Sequence, residues 1–253
     1  MQEKINQYLT ELEQEKGITI LLACETGSRA WGFPSPDSDY DVRIIYRHHR
    51  DWYLSITEKK DTIERMLEDN NLDITGWDLR KSLRLLWKSN PPLLERIQSP
   101  IRYRYDAAFL DGITQLATQT YSKIATMHHY LNMARKTYAE VRQEDTFKLK
   151  KFFYALRTAT ACRWIMERDE MPPIVFQKML DGLPIERPIT ARVEELIALK
   201  QTQDESYLHH GESELKRFIE TCLTTAQEKA SSLPAAHATM EDLNTFFRAT
   251  LAD

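Results

Sequence analysis

Glu25-Thr26-Gly27-Ser28-Arg29-Ala30-Trp31-Gly32-Phe33-Pro34-Ser35-Pro36-Asp37-Ser38-Asp39-Tyr40-Asp41-Val42-Arg43 is the stretch on which the reading of this chain turns. It leaves a short apolar run, Ile18–Cys24, that reads as a buried strand, and enters a second strand, Tyr40–Tyr46. Gly27-Ser28 at a strand-to-helix transition offers backbone N–H groups and a hydroxyl at a helix start, which is a seat for phosphate. Asp39 and Asp41, two residues apart on a strand, project from the same face. Two carboxylates held that close repel by about 4 kcal/mol at ~4 Å and an effective dielectric of ~20, so a site that keeps them together calls for a cation. Oxygen-only ligands beside a phosphate point to Mg2+ rather than to a thiolate- or imidazole-preferring metal. Asp73, inside the apolar strand Leu72–Trp77, is the natural third carboxylate, because an Asp in a strand interior needs a reason. Three such acids would complete a two-metal clamp for in-line phosphoryl or nucleotidyl transfer. The plainer alternative is an Asp-rich turn entering a strand, with Asp39 and Asp41 solvated.

Two rival motifs fail on the same letters. Counted from Asp37 as an EF-hand loop, position six is Val42 instead of Gly and position twelve is His48 instead of Glu. Counted as a phosphate-binding P-loop from Gly27 and Gly32, Phe33-Pro34 stands where Lys and Ser/Thr belong.

Around this stretch, Glu3–Glu15 carries Ile5, Tyr8, Leu9 and Leu12 at helical spacing, and Lys16-Gly17 supplies a stop. Further strands are expected at Asp61–Leu67 and Leu72–Trp77. From Asp78 to Lys88 the period turns helical, and Asn90-Pro91-Pro92 ends that helix and starts a short one. Beyond Tyr105 the pattern is helical: Ala107–Lys136, Phe147–Glu167, Pro173–Leu180, Thr190–Leu199, Ser213–Lys229 and Met240–Leu251. The expected fold is α+β, a small mixed-sheet domain at 1–105 followed by a helical domain at 106–253.

Composition sets the frame. With 253 residues, 42% apolar and 28% charged, the chain is an ordinary globular protein. Its longest apolar run is far too short to span a membrane, and the charged start Met-Gln-Glu-Lys does not read as a secretory signal. Cys24, Cys162 and Cys222 make no C-x-x-C, and a reduced, cytoplasmic setting is expected. A net charge of −4 argues against coating nucleic acid by bulk positive charge, while leaving room for a local basic pocket.

Gly27-Ser28 followed by Asp39-x-Asp41 resembles the signature of the DNA polymerase β-like nucleotidyltransferase superfamily. The longer string through Trp31-Gly32-Phe33 and Ser38-Asp39-Tyr40-Asp41-Val42-Arg43, with a second block at Asp73–Lys81, Lys88–Pro91 and Ser99-Pro100, resembles the RNA repair pathway (RNA ligase-associated) DNA polymerase beta family. The resemblance is strong over residues 20–105 and weaker over the helical part. It implies a two-Mg2+ enzyme, with Mn2+ as a substitute, that moves a nucleoside monophosphate from an NTP to an acceptor and releases pyrophosphate. Asp39 and Asp41 would hold the metals, Asp73 would be the third acid, and Gly27 and Ser28 would hold the triphosphate. Asp78 is the alternative third acid, although its place at a helix start also suits an N-cap. The implied acceptor is an RNA 3′ end, tRNA or another RNA. A protein or small-molecule acceptor, or a catalytically idle nucleotide-binding scaffold, are the other readings.

Basic residues that would serve a nucleotide are Arg29, at the expected helix start, and a face of the helix Phe147–Glu167. There Lys150, Tyr154 and Arg157 fall at i, i+4 and i+7, with Lys151 adjacent. The helical part is expected to close over the nucleotide, the alternative for that face being simple solvation. Arg43 continues the Asp39/Asp41 face, so an ion pair with those acids is expected equally with a phosphate contact. Arg80, Arg84 and Lys88 form a stripe that could track a polynucleotide backbone. The paired histidines His48-His49, His128-His129 and His209-His210 lack zinc spacing. Trp31, Trp52 and Trp77 are base-stacking candidates or core anchors.

Overall fold

The computed structural model describes residues 1–68, 71–234 and 239–252. In chain order its elements are α1 (Gln2–Lys16), β1 (Ile18–Glu25), α2 (Gly27–Trp31), β2 (Tyr40–His48), α3 (Arg50–Tyr53), β3 (Thr62–Leu67), β4 (Leu72–Asp78), α4 (Leu79–Trp87), α5 (Pro91–Gln98) and β5 (Arg102–Tyr105). There follow α6 (Ala107–Thr120), α7 (Lys123–Ala139), β6 (Thr146–Lys148), α8 (Leu149–Glu167), α9 (Phe176–Asp181), α10 (Arg187–Lys200), β7 (Leu208–His210), α11 (Ser213–Lys229) and α12 (Met240–Thr250). This is the α+β class expected.

The chain divides into two compact units, each discontinuous in sequence. The first comprises Met1–Gly27, Asp39–Tyr121 and Ala236–Asp253; the second comprises Ser28–Ser38 and Ser122–Ala235. The border therefore differs from the one expected at 105/106: α6 and α12 go with the sheet, and the eleven-residue segment inside the motif goes with the helices.

In the first unit the sheet order is β3-β4-β2-β1-β5, with β2 and β4 parallel and the other neighbours antiparallel. Alternation sorts its faces. Val42, Ile44 and Tyr46 of β2 and Leu72 and Ile74 of β4 are buried with Ile5, Leu9 and Leu12 of α1. Asp41, Arg43 and Asp73 occupy the intervening positions and so point away from that core. Helix α1 ends as its sequence foretells, with Gly17 in the left-handed region at φ 58° and its N–H on Glu13 O. Arg96 of α5 is buried, donates to Ile44 O at 3.1 Å and lies 3.3 Å over the Trp77 ring. Burial pushes its pKa down to about 9.

The second unit packs α7, α8 and α11 around buried Phe152, Phe153, Leu156, Leu215 and Ile219. The long helix expected over Ala107–Lys136 is two helices, α6 and α7. Tyr121 takes extended φ/ψ, and the Ser122 hydroxyl accepts from Ala125 N at 3.4 Å as the N-cap of α7. A serine at that point offers the backbone an alternative to continued helix, which apolar spacing alone does not reveal. The short strands β5, β6 and β7 also escaped the sequence, since runs of three or four residues carry too little alternation to register. No described helix is long and apolar enough to cross a membrane, and the three cysteines are buried free thiols.

Candidate active site

The parallel register of β2 on β4 sets Asp41 directly opposite Asp73. Both carboxylates converge on one guanidinium nitrogen: Arg43 Nη2 lies 2.8 Å from Asp41 Oδ1 and 2.9 Å from Asp73 Oδ2. The second terminal nitrogen of Arg43 donates to Val42 O and Asp73 O, each at 3.1 Å. Thr75 Oγ1 donates to Asp73 Oδ1 at 3.1 Å. Of the two roles expected for Arg43, the structure shows the ion pair.

Asp41 is fixed from behind. Its carbonyl accepts from Thr26 N at 2.9 Å and Thr26 Oγ1 at 3.2 Å, and its N–H donates to Glu25 Oε1 at 2.6 Å. Glu25 is fully buried, and its other carboxylate oxygen accepts from the Tyr103 hydroxyl. Sequence reasoning assigned Glu25 no part. An acid closing an otherwise apolar strand was the available signal, because a carboxylate is buried only where donors meet it.

Gly27 is required twice over. Its φ is +63°, and a Cβ built on it would stand 2.3 Å from Asp41 Oδ2. The glycine of the motif is thus the close neighbour of an Asp41 carboxylate oxygen.

Asp39 precedes β2 and is exposed. Among the described residues no three Asp, Glu, His or Cys side chains form a group ready to hold a metal ion, so Asp39, Asp41 and Asp73 are not gathered into one. Asp41 and Asp73 alone fit a hard divalent cation: both are oxygen donors, and they already share a single positive charge. Asp78, the alternative third acid, pairs in register with Tyr46, five positions along the strands from Asp73 and so about 17 Å away. It is the N-cap of α4, accepting from Arg80 N at 2.8 Å and from the Tyr53 hydroxyl at 2.6 Å, and burial raises its pKa.

The segment Ser28–Ser38 is locked into the second unit. Phe33 is buried, stacked on Phe153 at 4.8 Å with its edge neighbour Phe176 at 5.8 Å. Ser28 Oγ donates to Ser38 Oγ at 3.1 Å, Ser38 Oγ donates to Glu205 Oε1 at 2.9 Å, and Arg29 donates to Ser38 O at 2.6 Å. Lys200 Nζ donates to Ser35 Oγ at 2.9 Å, and Asp37 accepts from Glu205 N at 3.0 Å. The Ser28 hydroxyl and the Arg29 guanidinium, both expected on phosphate, are thus engaged within the loop.

A cavity of about 590 Å3 in the second unit is lined by Lys148, Lys150, Lys151, Tyr154, Asp37 and Glu205 among others. Lys150 pairs with Glu205, and Lys151 with Glu140 at 2.5 Å. Arg157, expected on the same face, does not reach it. Only 2% exposed, it lies 4.3 Å over the Trp31 ring and donates to Ile174 O at 3.2 Å. The last member of the expected i, i+4, i+7 stripe thus turns into the core, with its guanidinium over the Trp31 ring. Arg157→Lys should lower unfolding stability by about 2 kcal/mol, the scale of a desolvated cation–π contact plus a hydrogen bond, as read by urea denaturation. An unchanged midpoint would show that the guanidinium plane is dispensable.

In the first unit the basic stripe opens out. Arg80 donates to Tyr53 O at 2.9 Å, Arg84 is exposed, and Lys88 is exposed at the C-cap of α4. A pocket of about 290 Å3 is lined by Trp52, Lys59, Arg80, Lys81 and Arg84 together with Glu58, Asp61 and Asp78. Trp52 is stacked on His48, rings 4.0 Å apart and 8° from parallel. Burial lowers the His48 pKa from 6.5 to about 4, with His49 and Lys59 adding to the shift. The unfolded chain binds this proton below 6.5 and the folded chain only near 4, so His48 contributes a loss of stability as pH falls through that window and none above it. His48→Phe, which keeps the stack, should flatten the acid limb of melting temperature against pH; an acid limb of unaltered slope would assign it to other groups.

Comparison with known proteins shows the family of the chain. The model of the RNA repair pathway DNA polymerase beta family matches residues 1–249, and the chain belongs to that family. It is 41% identical over 235 residues to the uncharacterized protein YcgL of Bacillus subtilis (strain 168), covering 93% of this chain and 90% of that one. A solved nucleotidyltransferase-like protein from Exiguobacterium sibiricum 255-15 aligns over 98% of this chain and 80% of that one, with 10% identity and a TM-score of 0.33. A likeness that small supports no inference about the site. Family membership points to a nucleotidyltransferase.

Proposed function

We propose that this chain is a divalent-cation-dependent nucleotidyltransferase that moves a nucleoside monophosphate from an NTP to the 3′ hydroxyl of an RNA, tRNA or another, with release of pyrophosphate. The observation that carries the reading is the register pairing of Asp41 with Asp73, whose oxygens converge on one cationic nitrogen. Asp41 and Asp73, joined by Asp39, would hold the Mg2+ or Mn2+. When bound, the metal neutralises charge on the transferring phosphoryl group and lowers the pKa of the attacking hydroxyl.

The protein's own part is positioning. Glu25 and Thr26 fix the backbone of Asp41, so its carboxylate is presented from an unyielding strand end. Gly27 leaves space beside Asp41 Oδ2 that any side chain would fill. Thr75 orients Asp73 through Oδ1. In the same unit as the acid pair, the cationic pocket by Trp52 suits a nucleic acid strand.

The net charge of −4 favours a second reading, transfer to a protein or small molecule. Each α-labelled NTP with Mg2+, offered separately to total RNA, tRNA and cell protein, decides between them. Label in RNA with the wild type and none with Asp39→Ala or Asp73→Ala supports the proposal. Label confined to protein overturns it, and NTP binding without transfer to any pool indicates a nucleotide-binding scaffold.

A further inference from the structure

The acid pair of this site is not empty of positive charge. One nitrogen of Arg43 stands between Asp41 Oδ1 and Asp73 Oδ2 at 2.8 and 2.9 Å, on the two carboxylates that would hold the cation. The guanidinium is held there by two backbone carbonyls as well, Val42 O and Asp73 O. Arg43 sits two positions beyond Asp41 on β2, so the pleat itself delivers it to the acids' face. The carboxylates remain reachable: the side chains of Arg43, Asp41 and Asp73 are 18%, 32% and 28% exposed.

We infer that Arg43 is a built-in counter-ion that occupies the divalent-cation position of the resting protein and must give up Asp41 and Asp73 when the cation binds. This rests on the reading of the acid pair as a cation site and adds to it a residue that sets the affinity of that site. Two carboxylates facing one another without a counter-charge repel strongly, so the resting fold needs Arg43. A guanidinium and a divalent ion on the same two carboxylates repel each other across a few ångströms, so a bound cation disfavours both Arg43 pairs. Arg43 therefore weakens cation binding, and by displacement ties occupancy of the site to a movement of its own side chain. The alternative, in which Arg43 keeps both pairs while the cation is bound, predicts no change in the chemical reactivity of its guanidinium when the cation is added.

The test is Mn2+ binding to the full chain without nucleotide, read from the electron paramagnetic resonance signal of free Mn2+. Arg43→Gln should bind Mn2+ roughly tenfold more tightly than wild type, the scale of coupling between contacting charges. Arg43→Lys, which keeps a positive charge beside the acids, should lie closer to wild type than Arg43→Gln. Equal or weaker binding by Arg43→Gln overturns the inference while leaving the cation site standing. No Mn2+ binding by wild type or variant removes the cation site itself, and the inference with it. Should Arg43→Gln fail to fold, the wild type answers alone. Phenylglyoxal should modify Arg43 faster with saturating Mn2+ than without, measured by peptide mass spectrometry, and an unchanged or slower rate overturns the inference.

Discussion

Asp73→Asn and Asp41→Asn should each reduce nucleotidyl transfer on the order of 10³-fold, the loss seen when one pre-positioned electrostatic contact of a transfer site is removed. Stability should change little by comparison. Each substitution is close to isosteric, and it removes one arm of a partly exposed ion pair with Arg43, a contact of about 1 kcal/mol or less. That separation of effects is what distinguishes a reacting site from a structural one. Because the two acids face each other across β2 and β4 and share Arg43, their losses should not add: the double variant should be nearly as active as either single one. Rates from pyrophosphate release, set beside urea midpoints for the same proteins, check both statements. A large fall in the midpoint with a proportionate fall in rate would assign the pair to folding.

The second large effect belongs to Gly27→Ala. At φ +63° an alanine carries backbone strain of about 1 kcal/mol, and its Cβ would stand 2.3 Å from Asp41 Oδ2. Asp41 cannot turn aside at no cost, since its other oxygen is held by Arg43 and its backbone by Glu25 and Thr26. The carboxylate must therefore shift by a substantial fraction of an ångström. Displacement of a reacting group on that scale costs about 10²-fold in rate. Transfer by Gly27→Ala should fall by about that factor, with a stability loss of about 1–3 kcal/mol. Activity within a few fold of wild type would show that the approach of Gly27 to Asp41 has no catalytic consequence.

The sheet was legible where local pattern and tertiary demand coincide. Ile18–Cys24, Tyr40–Tyr46 and Leu72–Trp77 are apolar enough to reveal the strands, and the acids within the last two mark Asp41 and Asp73 as candidates. Gly17, Asp78 and Asn90-Pro91 marked their helix ends because caps act over a few residues. The illegible parts depend on partners distant in sequence. Nothing near Phe33 tells that it packs on Phe153 and Phe176, so the loop between the motif's glycine and its acids could not be assigned to the helical unit. Arg157 reads as a surface cation until the ring of Trp31 is placed beneath it. Glu25 reads as a strand end until its two oxygens find the Asp41 N–H and the Tyr103 hydroxyl. The ion pair of Arg43 with Asp41 follows from a spacing of two, but its simultaneous grip on Asp73 needs the parallel register of β2 and β4, which no local signal carries.

The most direct test of the central claim, that Asp41 and Asp73 form the reacting centre of a nucleotidyltransferase, is pyrophosphate release from each NTP in the presence of Mg2+ and total RNA, measured for wild type and for the Asp41→Asn/Asp73→Asn double variant. The account predicts release by the wild type in step with incorporation of the labelled monophosphate into RNA, and release lower on the order of 10³-fold by the folded double variant. Release near the wild-type rate in the double variant would place the chemistry elsewhere in the chain and contradict it.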